Sequence, residues 1–308
     1  MILIEKKGIT TMITPYRIST MTATGYIGSN VNLDNFYENV EVNDIHSEGI
    51  IYAEFGSNKH SQVSKGTNLK KRFVRVNGKK QASTRRFDNS ITIKYNMKNT
   101  NTNEETSLNT LNIKVFKNGK IQMTGVKSED IGKKAIDSII SLIKQYQSKI
   151  TEPEQKIVDD LECLENKDFC IHLINSDFKV NMELRRDLLA NLLMEKYACT
   201  CSYEPCIYPG VKIQYFLNKN NRDLPLEEQG RCMCEPSCNG KGDGFTTSSC
   251  KKITISIFQS GCILITGVTL IDHIKIGYEY ISTIIKENEQ AIKRNKLIIQ
   301  EPNSHQAM

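Results

Sequence analysis

From Ile113 to Val126 apolar and polar residues alternate strictly, with Ile113, Val115, Ile121 and Met123 on one face and Asn118-Gly119 between the two runs. A period of two around a glycine-bearing turn predicts a half-buried β-hairpin. The period then changes. Ser128-Glu129-Asp130 has the composition of a helix N-terminus, and Ile131, Ala135, Ile139, Ile143 and Tyr146 follow at helical spacing. The whole pattern occurs again. Ile113-Lys-Val-Phe-Lys-Asn-Gly-Lys-Ile-Gln-Met-Thr-Gly-Val126 recurs without a gap as Ile255-Ser-Ile-Phe-Gln-Ser-Gly-Cys-Ile-Leu-Ile-Thr-Gly-Val268, with seven of fourteen positions identical. Ile255, Ile257, Ile263 and Ile265 take the apolar face and Ser260-Gly261 the turn. Thr269-x-x-Asp272 is expected to start a helix carrying Ile271, Ile274, Tyr278, Ile281 and Ile285 against that face. One repetition at an offset of 142 residues marks a duplicated half-domain, since solenoid repeats run at roughly 20–50 residues.

The repeat organises the rest of the chain. Residues 1–15 read as a lead-in and 16–150 as the first repeat, with a basic insertion at 58–86. An acidic linker at 151–167 leads to the second repeat at 168–290, with a Cys-rich insertion at 217–251, and a polar tail at 291–308. In the first repeat a strand is predicted over 16–28, a short helix from Asn32, and strands near 50–55 and 91–95. In the second, a strand is predicted near Ile171, a helix over 181–197 and a strand over 211–216.

The other face of the hairpins carries Lys114, Phe116, Gln122 and Thr124 in the first copy and Ser256, Phe258, Leu264 and Thr266 in the second. A single strand-end Phe ordinarily closes the rim of a core. A Phe at the same place on two semi-polar faces points to binding instead. These residues carry a resemblance. Phe116, Gly119, Lys120, Thr124, Gly125, Lys127 and Ser128 resemble the hairpin-into-helix signature of the TATA-box-binding-protein family. Phe258, Ser260, Gly261, Thr266 and Gly267 repeat it, with Cys262 at the Lys position. Ser202-Tyr-Glu-Pro-Cys-Ile-Tyr-Pro-Gly-Val211 is similar to the family's S-Y-E-P-x-L-F-P-G-L stretch, and residues 27–33 and 177–184 resemble its strand-to-helix crossings.

The resemblance implies an α+β fold: a pseudo-two-fold saddle of two repeated half-domains, its curved antiparallel sheet backed by helices on the convex side. It implies a non-enzymatic transcription-initiation factor, monomeric on double-stranded DNA, that binds and bends AT-rich promoter DNA through the minor groove. In such binders apolar wedges unstack base steps at a cost of a few kcal/mol each, offset by contact that only bent DNA permits. Phe116 and Phe258 match wedges, and Tyr208 stands where the family has Phe. Arg85-Arg86-Phe87 resembles the family's Lys-Arg-Phe and makes Phe87 the remaining wedge, with Lys71-Arg72-Phe73 as its rival. Thr124 and Thr266 match groove-floor threonines, Gln122 and Leu264 occupy neighbouring floor positions, and Lys120 and Lys127 match phosphate contacts.

The departures bear on specificity. Gln122 and Lys114 replace aliphatic residues of the family's floor, and its two central Asn have no counterpart, Thr20 and Ile171 or His172 standing nearest. Minor-groove readout depends on such donors and on groove shape, so strict TATA specificity is not implied. A diverged member of the kind found in large DNA viruses fits these departures, as does a composition rich in Asn, Ile and Lys. That reading places the protein inside the cell, in the host nucleus or a cytoplasmic viral factory. Glu204 matches an acid through which the family's Y-E-P stretch meets a B-type initiation factor and, beyond it, the RNA polymerase machinery; Cys206 replaces the next acid. The alternative is an interaction scaffold of the same fold that does not bind DNA and recruits polymerase or initiation factors.

Charge sharpens the picture locally. The net charge is +6, but between residues 65 and 86 stand Lys65, Lys70, Lys71, Arg72, Arg75, Lys79, Lys80, Arg85 and Arg86 without an acid. Those nine exceed the excess of the whole chain, and they read either as a phosphate-backbone arm or as a solvated loop. Of ten cysteines, Cys232, Cys234, Cys238 and Cys250 crowd the second insertion. Their C-x-C-x₃-C-x₁₁-C spacing lacks the paired C-x₂-C knuckles of a zinc ribbon. Four thiolates in a Gly-rich excursion would nonetheless suffice for a structural zinc, reduced free thiols being the other reading; no cofactor is otherwise required. The five histidines fall in no metal or triad spacing, and no nucleophile-elbow, zincin or P-loop motif occurs, so an enzyme is not expected. Residues 253–271 are free of charge, but polar interruptions at period two fit a hairpin and not a membrane span.

Overall fold

A computed structural model of the 308-residue chain describes residues 11–56, 64–67, 73–76, 79–82, 89–98, 108–246 and 249–294. In chain order its elements are β1 (Arg17–Tyr26), α1 (Leu33–Asn39), β2 (Gly49–Glu54), β3 (Ser64–Gly66), β4 (Phe73–Val76), β5 (Lys79–Ala82) and β6 (Ser90–Lys98). They continue with β7 (Leu108–Phe116), β8 (Lys120–Val126), α2 (Glu129–Gln147), β9 (Lys167–Lys179), α3 (Arg186–Glu195), β10 (Thr200–Ser202) and β11 (Val211–Leu217). The last are β12 (Lys251–Ile257), β13 (Cys262–Val268), α4 (Ile271–Glu287) and α5 (Glu289–Ile292). The class is α+β, with antiparallel strand pairing within each unit. The chain divides into two compact units, Ile18–Ile174 and a second that joins the described part of Met1–Arg17 to that of Asn175–Met308.

In the Ile18–Ile174 unit β8 lies between β1 and β7, followed outward by β6, β2 and β3. The hairpin pairs Ile113 with Met123 and Val115 with Ile121, and all four side chains are fully buried. Burying a side chain of this size stabilises by about 1.5–3 kcal/mol. The cover comes from α2, which buries Ile131, Ala135, Ile136, Ile139, Ile140, Ile143 and Tyr146 along one stripe. Ser128 caps it by accepting the Ile131 N–H at 3.3 Å, and Glu129 and Asp130 favour its N-terminal dipole.

The second unit repeats this in the β10-β11-β12-β13 order. Ile255 pairs with Ile265 and Ile257 with Ile263, each fully buried, and α4 covers them with Ile274, Ile281, Ile284 and Ile285. Two helix expectations need correction. Thr269 does not cap α4: Leu270 occupies the cap without a side-chain hydrogen bond, and Ile271 is half exposed. The helix expected over 181–197 is only α3, because the Leu184 N–H is drawn to the Gln259 carbonyl at 2.9 Å and the Arg185 N–H to the Ile292 carbonyl at 2.7 Å. Those bonds hold 184–185 extended until the helix begins.

The duplication extends to tertiary contacts. Gly119 and Gly261 both adopt φ of 78° at their turns. The Ile27 N–H donates to the Gly119 carbonyl at 3.1 Å, and the Val180 N–H to the Gly261 carbonyl at 2.9 Å. The Val31 N–H likewise donates to Lys117, and that of Leu184 to Gln259. Each hairpin turn is thus bolted to the strand-to-helix crossing of its own unit. A Cβ at Gly119 would lie 2.1 Å from the Ser29 carbonyl oxygen, and one at Gly261 2.5 Å from that of Val180. Glycine is required at both turns for two reasons, conformation and space. Among the described residues no helix is long and apolar enough to cross a membrane.

Candidate nucleic-acid interface

With the aliphatic residues turned to the helices, strand alternation fixes what the other face displays. In the Ile18–Ile174 unit one cross-strand row runs Glu54, Thr92, Lys114, Gln122 and Thr24, and the next runs Tyr52, Lys94, Asn112, Thr124 and Thr22. Gln122 is exposed and Thr124 half-buried. Thr24 ends its row against His172 of β9, Oγ1 to Nε2 at 2.7 Å. Of the two residues nearest the family's second central Asn, His172 is therefore the one on this face. Thr20 is engaged locally, its Oγ1 accepting the Gly125 N–H at 3.0 Å.

Phe116 is half-buried at the end of β7, opposite Ser90, and its carbonyl accepts the Gly119 N–H at 2.9 Å. Lys120 is exposed just beyond the turn. Lys127 is exposed as well, but its ammonium donates to the Ser19 carbonyl. Phe87 lies outside the described residues, as do Lys70, Lys71 and Arg72 of the basic insertion; of the rival Phe73 only the backbone, in β4, is described. Lys65 has another task. Its Nζ donates to the carbonyls of Tyr37, Glu38 and Val40 at 2.7, 2.9 and 3.0 Å, closing the C-terminus of α1. Burial lowers its pKa, opposed by Glu38 and Glu41.

The second unit gathers more of the expected residues. One row runs Ser202, Lys212, Ser256 and Leu264, and the next runs Thr200, Gln214, Thr254 and Thr266. At the end of this face Tyr208 meets Phe258 edge-on, ring centroids 5.8 Å apart at 61°. Gly210 makes the pairing possible. A Cβ there would lie 2.9 Å from the Tyr208 ring and 3.2 Å from that of Phe258. The loop is held by the Glu204 carbonyl, which accepts the Ile207 and Tyr208 N–H groups, both at 2.9 Å. Arg186 of α3 donates to the Pro209 carbonyl and lies 5.5 Å from the Tyr203 ring centroid. Ile207 is 80% exposed and Tyr208 38%, so the tip presents apolar surface to solvent. Glu204, Tyr208, Lys212, Leu264 and Thr266 together line a cleft of about 560 Å³.

The four insertion cysteines also converge, their Sγ atoms all within 4.8 Å of one another. Burial opposes the Cys238 thiolate, but the backbone N–H groups of Cys250 and Gly240, with the Cys232 and Cys234 thiols, outweigh it and lower its pKa. Three contributors escaped sequence reasoning: the Thr24–His172 pair, Asn112 and Lys212. Strand alternation alone would have placed the last two on the open face. Nothing in the sequence joins Thr24 to a residue 148 positions away.

Comparison with known proteins finds relatives of one kind. The chain is 30% identical over 278 residues to a TATA-box-binding-protein-like protein of Acanthamoeba polyphaga mimivirus, covering 90% of this chain and 66% of that relative, just under two thirds of its length. It is 24% identical over 178 residues to the TATA-box-binding protein of Methanococcus vannielii, covering 58% of this chain and 70% of the relative. Among solved structures, Methanococcus jannaschii TBP superimposes with a TM-score of 0.44 at 16% identity, covering 89% of this chain and 99% of that one. No family model matches. The molecule is thus an α+β protein of duplicated half-domains, each with one strand face covered by a helix and the other open. It belongs to the TATA-box-binding-protein family.

Proposed function

We propose that this protein is a transcription-initiation factor that binds AT-rich promoter DNA through the minor groove and bends it. The observation that carries this reading is the Tyr208–Phe258 pair, two rings standing edge to face at the end of an open strand face floored by Ser256, Leu264, Thr254 and Thr266. Ser256, Thr254 and Thr266 are short enough to admit a groove edge beside Leu264, while the rings at its end provide the bulk needed to part a base step. The first unit supplies Phe116 beside a floor of Gln122, Thr124 and the Thr24–His172 pair. Hydroxyl, amide and imidazole groups there are donors for the acceptors that A·T pairs expose. Exposed Lys120 and Lys212 suit phosphates at the margins. Phe87 and Lys127 are proposed as a further wedge and phosphate contact, and Glu204 as a contact for a B-type initiation factor that brings the polymerase machinery.

One observation favours a second reading. Glu204 lines the same cleft as Tyr208 and Thr266, where a carboxylate repels phosphate and suits a protein partner. A binding titration on AT-rich and GC-rich duplexes at several salt concentrations separates the two. The DNA-binding factor prefers the AT-rich duplex at every salt, with affinity falling by a log–log slope of about 0.9 per phosphate contact. Steep salt dependence without preference would mark a non-specific architectural binder. No binding to either duplex would leave the scaffold.

A further inference from the structure

The insertion between β11 and β12 is folded without an apolar core. Among its described residues at 218–250 the buried ones are Asn218, Asn221, Gly230, Gly240, Gly244 and Cys250, with no aliphatic side chain among them. It nonetheless holds defined contacts. The Phe216 N–H donates to the Gly230 carbonyl and that of Lys252 to Gly240, both at 2.8 Å. Buried His273 of α4 reaches the Asp243 carbonyl with Nε2 at 2.8 Å and stacks on Phe245. A segment of this length without a core needs another source of stability.

The cysteines supply one. Cys232 and Cys238 stand with Sγ atoms 3.6 Å apart, Cys234 and Cys250 likewise, and all four lie within 4.8 Å of one another. In a tetrahedral tetrathiolate site with metal–sulfur bonds of about 2.3 Å, neighbouring sulfurs lie about 3.8 Å apart. The surroundings are built for negative sulfur. The Cys250 N–H donates to Cys238 Sγ at 3.3 Å. The buried Asn218 amide donates to Cys250 Sγ at 3.5 Å and reaches Cys234 Sγ at 4.0 Å, while its oxygen accepts the Asn220 N–H. Outer donors of this kind orient ligands and stabilise thiolates. We propose that Cys232, Cys234, Cys238 and Cys250 bind one zinc ion as four thiolates, and that this ion in place of an apolar core holds the insertion folded against β11, β12 and α4. Binding releases the thiol protons and needs no oxidant. The other ordinary fate of thiols this close, pairing into Cys232–Cys238 and Cys234–Cys250 disulfides, would require each sulfur pair to close to about 2.05 Å.

The test uses the full chain purified under reducing conditions without chelator. Elemental analysis should find one zinc per chain, retained in Cys170→Ser, whose cysteine lies elsewhere, and lost in Cys238→Ser and Cys250→Ser. Should those variants fail to fold, the parent chain still decides. Native alkylation should spare these four thiols together with buried Cys199, the four alone becoming reactive when a chelator is added, and chelation should open residues 218–250 to proteolysis ahead of the rest. Metal-free protein in which the four cluster thiols react without chelator, two disulfides by mass spectrometry, or iron in place of zinc would each overturn the proposal. An unchanged proteolytic pattern after zinc removal would overturn the structural role.

Discussion

Removing the rings of Tyr208 and Phe258, singly and together, tests the proposed function at its central observation. An edge-to-face pair of this geometry contributes about 0.5–1.5 kcal/mol beyond the area it buries. A ring stacked on a base contributes about 1–3 kcal/mol. Tyr208→Ala or Phe258→Ala should therefore weaken binding to an AT-rich duplex by about 1–3 kcal/mol, roughly 5- to 160-fold. In urea denaturation the double variant should lose less stability than the sum of the singles by the share of the pair, about 0.5–1.5 kcal/mol, because each single already breaks it. Tyr208→Phe keeps the ring and removes a hydroxyl that would be desolvated in the base step, so its affinity should equal or exceed that of the parent. Fluorescence anisotropy gives the affinities, end-to-end energy transfer on a doubly labelled duplex gives the bend, and urea denaturation checks the fold. Tyr208 is 38% exposed, so its loss should cost stability little beyond the share of the pair. Parent-like binding and bending by the double variant would refute the wedge. Strictly additive losses of stability would show that the rings do not act as a pair.

Gly119→Ala and Gly261→Ala should each destabilise by more than about 2 kcal/mol, of which left-handed backbone accounts for about 1–2 and the clash with the Ser29 or Val180 carbonyl for the rest; urea midpoints at unchanged slope measure it, and a tolerated substitution would mean that the turn relaxes. Glu204→Arg should not weaken DNA binding, since it removes a carboxylate that repels phosphate, while weakening ternary assembly with a B-type factor, since reversing a rim charge sets like charges together; a gel shift with the cognate factor checks it, and normal assembly would place the partner site elsewhere. Burial lowers the His273 pKa against the Asp243 carbonyl, with Lys251 lowering it further and Asp243 and Asp272 raising it. The unfolded chain then binds the proton more readily, so stability is full above the ordinary His value of about 6.5, falls as pH drops below it and levels off beneath the lowered value. His273→Gln should abolish that slope in denaturation at stepped pH, and an unchanged slope would assign it to another group.

Both hairpins, their registers and the helices that cover them are legible because a period of two is set against a period of 3.6, and because Gly119 and Gly261 mark the reversals. What local pattern cannot see is competition. Thr269 has the side chain of a cap, yet the chain enters α4 through Leu270; Asn181, Leu184 and Arg185 fall in the expected helix but give their N–H groups to distant carbonyls. Lys65 looks like one of nine interchangeable cations, and only the fold shows its ammonium closing α1, where it is held by three carbonyls. The open-face residues of the second unit follow from alternation, but the meeting of Tyr208 with Phe258 depends on a loop geometry that Gly210 permits. The cysteine spacing matches no familiar knuckle because three ligands come from one loop and the fourth from the approach to β12.

The two open faces are built on one template but are not chemically equal. At matching positions Lys114 and Gln122 in the first unit stand where the second has Ser256 and Leu264. A perfectly repeated binder would fit a duplex equally well in either sense, leaving the direction of any downstream event undetermined. Unequal halves give the molecule polarity. A difference of about 1.4 kcal/mol between the two ways of lying on a site biases them tenfold. Under the proposed function, exchanging Lys114 with Ser256 and Gln122 with Leu264 is expected to reverse the preferred sense on a duplex without altering the hairpins.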